Sequence, residues 1–310
     1  MSDNVHVFGP VPSRRLGLSL GVSPIPEKTC NYTCTYCQLG RTTHMSNKRV
    51  MFYPVETIAL EVKEALALND AIDVVSIVGE GEPTLYAGLG ELIQRIKSFT
   101  QKPVALITNA ALFYDEQVRK ESALADIVLP SLDGFDYSSW KAIDRPYGRL
   151  DYDAVYQGLV DFSHAYHGQL WIEIMLVKGI NDTDKALTAF SSLLASISYD
   201  RLYINTPVRP PAEGFVEPCH HDVVQKFATQ LKGSAIDALV STGFASTILD
   251  NYEAVLSIIL RHPMNNFEID TFLSKRNASE EEKKALFSRL HEDASVTATT
   301  YKGLVTYRAN

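Results

Sequence analysis

The sequence predicts an α/β fold, a partial TIM-like (βα)6 barrel in residues 1–240, followed by a small domain in residues 251–310. Strand-like and helix-like segments alternate from residue 16 to residue 206, and several strand-like segments are continuous apolar runs, as in parallel sheets buried on both faces. The chain has 310 residues, of which 45% are hydrophobic and 21% charged. That length suits one barrel-sized domain plus an appendage.

The predicted barrel elements follow one another in order. Leu16, Leu18, Leu20 and Val22 alternate with Gly and Ser and form the first strand, and residues 8–15 before it have turn character. The later elements are helix 54–69, strand 72–78, helix 88–99, strand 104–108, helix 115–122, strand 126–132, helix 151–166, strand 170–177, helix 184–197 and strand 201–206. Six strands in this order predict a parallel barrel that stays open.

Three cysteines, Cys30, Cys34 and Cys37, share one short loop after the first strand, at the end where parallel α/β folds place their chemistry. Four cysteines in 310 residues, without a signal-peptide pattern, do not indicate a disulfide framework. A zinc knuckle completed by His44 or a distant ligand stays open, because Cys34 and Cys37 form a CxxC pair. An iron-sulfur cluster held by three thiolates would leave one iron available for chemistry.

A glycine-rich segment, Gly79-Glu80-Gly81-Glu82-Pro83-Thr84-Leu85, directly follows the strand at residues 72–78. Its glycines let the backbone approach a ligand closely, and Glu82 supplies a carboxylate that can grip an ammonium group. A simple turn between a strand and a helix explains the glycines and the proline. It does not explain their position one strand after the cysteine triplet.

Polar side chains stand at or near the carboxyl ends of the predicted strands. They are Asn109, Ser131, Asp133, Glu173, Lys178, Asn181, Asn205 and Arg209. Strand ends at this edge form the pocket of a parallel barrel, so Asp133, Glu173 and Asn205 are assigned to a substrate pocket by location. Arg14 and Arg15 precede the first strand, where they can contact a cofactor or an anionic substrate or form a solvated basic pair.

The CxxxCxxC spacing, with Tyr36 before the last cysteine, resembles the signature of the radical SAM superfamily. Residues 79–85 resemble its glycine-glutamate-proline motif, with Glu80 inserted between the two glycines that are usually adjacent. Segments 9–15, 37–43, 130–133 and 205–211 are similar to a group of small radical SAM proteins commonly grouped with the tRNA wyosine synthases. The resemblance covers about residues 7–235.

This resemblance implies a 4Fe-4S cluster on Cys30, Cys34 and Cys37, with S-adenosylmethionine (SAM) on the fourth iron. The implied SAM-binding residues are Tyr36, Gly79, Gly81, Glu82, Asn109 and Ser131, the last two at the ribose. The implied chemistry is reductive cleavage of SAM to a 5′-deoxyadenosyl radical, which abstracts hydrogen from a substrate. A reductant protein such as flavodoxin or ferredoxin is the implied electron donor.

The substrate stays open between a peptide or protein, a small metabolite and a tRNA. The net charge of -8 disfavours nucleic acid. True wyosine synthases carry a second cysteine set, whereas after the triplet this chain has only Cys219, beside His220 and His221. We therefore favour a peptide, protein or small metabolite, with a wyosine-like tRNA enzyme as the alternative, and interpret Cys219 as a loop thiol rather than a radical or metal participant. No run of about 18 apolar residues occurs, so a cytoplasmic protein without membrane contact is expected.

Residues 251–310 have a different pattern, after a predicted linker at 241–250. Helices near 252–261 and 267–273, a third helix with a capping box from Ser279 to Glu282, and a hairpin around residues 301–303 predict a winged-helix-like domain.

This domain contains eight Lys or Arg and eight Asp or Glu, and its third helix opens on three glutamates, which oppose phosphate. We expect it to dock a peptide or protein, or to cover the barrel mouth, rather than to bind DNA. An iron-sulfur sensor that controls DNA binding is the alternative from another class, but it leaves Glu82 and the polar strand ends without a function.

Overall fold

The computed structural model describes residues 6–237, 243–246 and 248–309. Eight strands form one sheet, which confirms the α/β prediction. In spatial order they are β1 (Val7–Ser13), β2 (Gly17–Val22), β5 (Val74–Ile77), β6 (Val104–Thr108), β7 (Ile127–Pro130), β8 (Gln169–Met175), β9 (Arg201–Asn205) and β10 (Ser234–Ala235). Strand β1 runs antiparallel to β2, and all later neighbours are parallel. A separate two-stranded pair joins β3 (Thr29–Cys30) to β4 (His44–Met45).

The helices of residues 55–230 cover the outer face of this sheet, except the helix at residues 137–143, which packs beside the cysteine loop. They are α1 (Val55–Leu68), α2 (Leu89–Lys97), α3 (Glu116–Ser122), α4 (Tyr137–Ile143), α5 (Tyr152–Ala165), α6 (Asp184–Leu194) and α7 (His221–Gln230). In α1 the four-residue spacing of Ile58 and Val62 places both side chains against the sheet, where they are fully buried. Helices α4 and α7 were not foreseen from the sequence.

The inner face of the sheet explains why strand-end polar groups meet. Leu16, Val74, Ala105, Leu129, Trp171 and Tyr203 form one apolar cluster to which neighbouring strands contribute. Because side chains alternate along a strand, Glu173 lies on the same face as Trp171, and Asn205 on the same face as Tyr203. The polar groups therefore lie above this apolar layer.

The turn predicted for residues 8–15 is wrong for most of that stretch, because Val7–Ser13 forms β1. A bulge between Phe8 and Val11 interrupts its pairing with β2. The sequence is misleading because Pro10 and Pro12 cannot donate backbone hydrogen bonds. Proline is nevertheless tolerated on an edge strand, and β1 ends the sheet among the described residues.

The C-terminal elements were largely foreseen. They are α8 (Asn251–Ile259), β11 (Met264–Asn265), α9 (Asn266–Lys275), α10 (Glu280–Glu292), β12 (Val296–Tyr301) and β13 (Leu304–Ala309). The strands pair in the order β11-β13-β12, and Ser279 and Glu282 form the expected capping box. The short strand β11 was not foreseen. Of the predicted linker, residues 241, 242 and 247 lie outside the described residues.

The C-terminal elements have their own apolar cluster, which includes Ile258, Phe272 and Leu290, and Val11 of β1 joins it. Tyr301 Oη also donates to the carbonyl of Pro207, at 2.8 Å, after strand β9. The C-terminal unit thus packs on the edge strand and reaches the mouth of the barrel. Among the helices of the described residues, none has both the length and the apolar character needed to cross a membrane.

Candidate active site

A cavity of about 320 Å³, here called the cluster cavity, opens at the carboxyl ends of the parallel strands. The residues to which the radical SAM hypothesis assigns a cofactor, metal or substrate role all lie in its wall. They are Cys30, Cys34, Tyr36, Cys37, Gly79, Gly81, Glu82, Asn109, Ser131, Asp133, Glu173 and Asn205. These residues come from loops and strand ends far apart in the chain, so the barrel topology brings them together.

The cysteine loop is tied to the barrel through its backbone. Cys30 lies in β3, and the N–H of Cys37 donates to the carbonyl of Cys34 at 3.1 Å, which closes a tight turn. The N–H of Thr35 donates to the carbonyl of Ile143, at the end of α4, at 2.8 Å. Helix α4 therefore positions the three thiols, although it was absent from the sequence prediction.

Burial raises the pKa of all three thiols. The carboxylate of Glu82 adds to this for Cys30, and that of Asp144, whose Oδ1 lies 3.4 Å from Cys34 Sγ, adds to it for Cys34. A bound metal centre reverses such a shift, because it stabilises the thiolate directly. The donor set thus fits a group that carries substantial positive charge.

The described residues contain no group of three His, Cys, Asp or Glu side chains that could hold a single metal ion. A cubane cluster does not need one, because each thiolate binds a different iron. His44, the candidate fourth ligand of a zinc site, is exposed and is absent from the cavity wall, and its Nδ1 lies 3.1 Å from Thr43 Oγ1. The three thiols therefore fit a cluster better than a zinc knuckle with His44.

Tyr36 and Asp133 form one polar contact beside the thiols. The hydroxyl of Tyr36 donates to Asp133 Oδ2, and the N–H of Met175 donates to Asp133 Oδ1 at 2.7 Å. Burial raises the pKa of Asp133 to about 6. Asp133, assigned from sequence to the substrate pocket, is thus engaged by Tyr36 and by the end of β8.

Glu82 is 2% exposed and accepts four hydrogen bonds within the protein. Its Oε1 accepts from the N–H of Thr84 at 3.0 Å and from the hydroxyls of Thr84 and Thr108 at 2.6 Å, and its Oε2 accepts from the N–H of Asn109 at 2.8 Å. Burial nevertheless raises its pKa. The carboxylate thus joins the ends of β5 and β6 and contributes negative charge to the cavity wall.

The two glycines of the same loop are needed for close packing. A Cβ on Gly81 would lie 1.7 Å from the carbonyl oxygen of Thr29, the residue before Cys30. A Cβ on Gly79 would lie 2.5 Å from Ile25 Cδ1. The N–H of Glu82 donates to the same Thr29 carbonyl at 3.1 Å. Glycine at position 81 therefore lets the glycine-rich loop pack directly against the strand that begins the cysteine motif.

Asn109 and Ser131 follow β6 and β7. Asn109 Nδ2 donates to Asn31 Oδ1 at 2.7 Å and lies 3.8 Å from Cys30 Sγ. The N–H of Ser131 donates to the carbonyl of Thr108 at 3.0 Å, and its hydroxyl lies at the cavity wall. Both side chains are thus beside the thiols and between the two loops.

Glu173 and Asn205 lie opposite the cysteine loop. Asn205 Nδ2 donates to Glu173 Oε1 at 3.0 Å, and Arg15 forms a salt bridge with Glu173 Oε2. Arg14 Nη1 donates to Asn205 Oδ1 at 3.3 Å. Both arginines line the cavity, so their assignment to a functional region rather than to a solvated surface is supported by their position.

The sequence did not single out several residues that support the site. Asn31, between Cys30 and Tyr32, is fully buried and donates to Asn47 Oδ1 at 3.2 Å. Glu213 receives a bidentate contact from Arg41, with both distances 2.8 Å. Their polar side chains near the cysteine motif were the available signal, but their partners are distant in sequence.

Three further residues considered from sequence, Lys178, Asn181 and Cys219, lie outside the cavity wall. Lys178 is exposed and pairs with Glu217, and Asn181 is buried under the end of β8. Cys219 is buried, with Sγ 3.8 Å from Asp182 Oδ2. The loop-thiol interpretation of Cys219 agrees with this position. Arg209, the remaining polar strand-end residue, does line the cavity.

Sequence comparison defines the class to which this fold and site belong. A family profile described as Radical SAM superfamily matches residues 25–190. A UPF0026 protein of Methanocaldococcus jannaschii is 33% identical over 98% of this chain and 95% of its own length. The chain therefore belongs to the radical SAM superfamily and, within it, to the UPF0026 family.

A second relative, from Brachyspira hyodysenteriae, carries the name GTPase Obg. It is 32% identical over 98% of this chain, but the chain spans only 45% of that relative's length. The sequence of this chain has no Gly-Lys pair and so no GxxxxGK[ST] phosphate-binding loop.

Two solved structures show the same fold. TYW1 with a lysine-pyruvate adduct bound has a TM-score of 0.54 at 19% identity, over 69% of this chain and 72% of that chain. A radical SAM methyltransferase from Sphaerobacter thermophilus has a TM-score of 0.53 at 14% identity, over 71% and 66%. The predicted superfamily is confirmed by the family profile, and these two structures show that the fold is shared.

Proposed function

We propose that this protein is an enzyme that holds a 4Fe-4S cluster on Cys30, Cys34 and Cys37, binds SAM beside it, and abstracts hydrogen from a substrate. The supporting observation is the position of all twelve predicted residues in the wall of one cavity at the active edge of the barrel. A cluster held there would supply the single electron needed for reductive cleavage of the S–C5′ bond of SAM to methionine and a 5′-deoxyadenosyl radical.

The protein's own residues position the two cofactors. The thiols would bind three irons, and the backbone at Gly79 and Gly81, which lines the cavity, would lie against the amino-acid end of SAM. Asn109 and Ser131 would hold the ribose. Glu82 would act through charge and through its hold on two strand ends rather than by a direct grip on the ammonium group, because its carboxylate is already hydrogen-bonded.

The C-terminal unit is proposed to be a winged-helix-like module that covers the barrel mouth. Arg209 of the barrel pairs with Glu268 of α9, and Arg261 after α8 pairs with Glu80 of the glycine-rich loop. A C-terminal unit that covers the barrel mouth would keep water out of the cavity in which the radical forms. These contacts favour a lid over the DNA-controlling sensor, and the glutamates that begin α10 also oppose DNA phosphates.

The test is anaerobic reconstitution with iron and sulfide, followed by reduction with dithionite in the presence of SAM. We expect a brown protein that produces 5′-deoxyadenosine. Cys34→Ala should reduce product by more than the roughly 10- to 100-fold that loss of a supporting contact to a metal site costs. Cys219→Ala is the matched control, because that thiol is buried outside the cavity and should leave product formation intact. Equal activity in the two variants would sink the assignment.

A further inference from the structure

A second cavity, of about 170 Å³, adjoins the cluster cavity between the barrel and the C-terminal unit. The two cavities share Arg14, Arg15, Gln38 and Arg209 in their walls. The cofactor roles proposed above leave this second cavity without a ligand. It opens directly toward the place where hydrogen abstraction would occur.

The second cavity has a cationic wall. Arg14, Arg15, Arg209 and Arg261 line it, and no Asp or Glu is among the described residues of that wall. Arginine presents a planar fork of N–H donors that matches carboxylate and phosphate oxygens.

Carboxylates outside the cavity fix three of these guanidinium groups. The pairs are Arg15 with Glu173, Arg209 with Glu268 (Nη2–Oε1 2.8 Å) and Arg261 with Glu80 (Nε–Oε2 3.3 Å). None of the three acids belongs to the wall of the second cavity. The ion pairs thus hold three of the arginines in place, and two of the acids, Glu80 and Glu173, line the adjoining cluster cavity.

The cations also destabilise one another. Burial, together with the charge of Arg14, lowers the pKa of Arg15 to about 10. Burial and the charges of Arg209, Arg14 and Arg15 lower the pKa of His262 well below its ordinary value, so this ring is neutral near pH 7. An anion between these groups would relieve the repulsion.

The remainder of the wall is largely apolar. Phe8, Val11, Val78 and Ile107 line it. A Cβ on Gly21 would lie 2.2 Å from the ring of Phe8, so glycine there allows the ring to pack across β2. The space therefore suits a small molecule with one anionic end and an apolar portion.

We propose that the substrate is a small molecule with a carboxylate or phosphate group, which the four arginines bind in the second cavity while its reactive carbon reaches the cluster cavity. This assignment rests on the proposed function. It favours a small metabolite over a peptide or tRNA, because a space of 170 Å³ admits a head group rather than a macromolecular surface.

Anion binding can be measured without reductant. Thermal unfolding of the reconstituted protein, with SAM present, is compared in sodium phosphate, sodium acetate and sodium chloride at equal ionic strength. We expect phosphate or acetate to raise the unfolding temperature above chloride, and the better of the two identifies the group. Arg14→Gln removes one of the four guanidinium groups and should weaken that anion's binding about tenfold, whereas Arg14→Lys should weaken it less.

Arg95→Gln is the matched control, because Arg95 pairs with Glu56 on the outer helices and should bind anions as the wild type does. Three outcomes would each overturn the inference: equal unfolding temperatures in the three salts, an undiminished anion effect in Arg14→Gln, or displacement of phosphate by bulk tRNA. If Arg14→Gln does not fold, the salt comparison on the wild type still decides. Anion binding without any 5′-deoxyadenosine would reject the proposed function alone, and product without an anion-specific effect would reject this inference alone.

Discussion

The two adjoining cavities differ in the charge of the group that each would bind. The cluster cavity suits a cationic group, and the second cavity suits an anion. Around the cluster cavity, burial raises the pKa of three thiols, and a cationic group would favour their thiolate forms. Around the second cavity, arginines crowd one another without a carboxylate in the wall. Two cavities at one edge of a parallel sheet can thus bind a cationic cofactor and an anionic substrate at separate places because their walls differ in charge.

The largest expected effect is on the free energy of unfolding, and it comes from Arg209 in the wall of the second cavity. Its partner Glu268 is fully buried in α9, where it also accepts from the N–H of Asn265 at 2.9 Å. Arg209→Met removes the salt-bridge partner of this buried carboxylate, so we expect the free energy of unfolding to fall by about 3–5 kcal/mol. Urea unfolding measures this loss.

The control for Arg209→Met is Arg95→Met, which breaks the exposed pair with Glu56 and should cost less than about 1 kcal/mol. The double substitution Arg209→Met with Glu268→Met should recover much of the lost stability. If the two single arginine substitutions cost the same, the pair does not hold the C-terminal unit against the barrel.

A smaller effect on the free energy of unfolding is expected from Glu82→Gln, in the wall of the cluster cavity. The side-chain amide nitrogen cannot accept the N–H of Asn109 that Oε2 now accepts. We expect a loss of about 1–3 kcal/mol in the free energy of unfolding. Because the wall also loses a negative charge, SAM should bind more weakly in calorimetry.

Glu116→Gln serves as the control for Glu82→Gln, since Glu116 is exposed and pairs only with Lys120 on α3. It should leave both stability and SAM affinity close to wild type. Unchanged SAM affinity in Glu82→Gln would show that this carboxylate serves the fold and not the cofactor.

Local sequence patterns were sufficient to predict which strand-end residues share the cluster cavity with the cysteines. Alternating and continuous apolar runs defined the strands, and the barrel rule that chemistry lies at their carboxyl ends then grouped Asn109, Ser131, Glu173 and Asn205 with the cysteines. The environment of Glu82 was not predictable, because its four donors come partly from Thr108 and Asn109 on the next strand.

The second cavity was beyond sequence reasoning for a different reason. Arg14 precedes the first barrel strand, Arg209 follows β9, and Arg261 and His262 belong to the C-terminal unit. No spacing rule connects residues from opposite ends of a chain. Strand β1 was also hidden by its prolines, and it contributes the Phe8 and Val11 side of this wall.

The smallest expected effect is the pH dependence due to His262. Its pKa is well below 6.5 in the folded state, through burial and the charges of Arg209, Arg14 and Arg15. Between the folded and unfolded pKa values, the unfolded chain binds a proton that the folded one does not, so stability rises with pH there. Lowering the pH from 7.5 to 5.5 should therefore cost the wild type at most about 1.4 kcal/mol of its free energy of unfolding through this residue.

His262→Gln should lose less stability over the same interval in urea unfolding. His6, whose pKa burial also lowers, contributes equally to both proteins. An identical pH dependence in the two proteins would mean that neither burial nor the arginines lower the pKa of this ring, and it would remove one support for the contrast between the cavities.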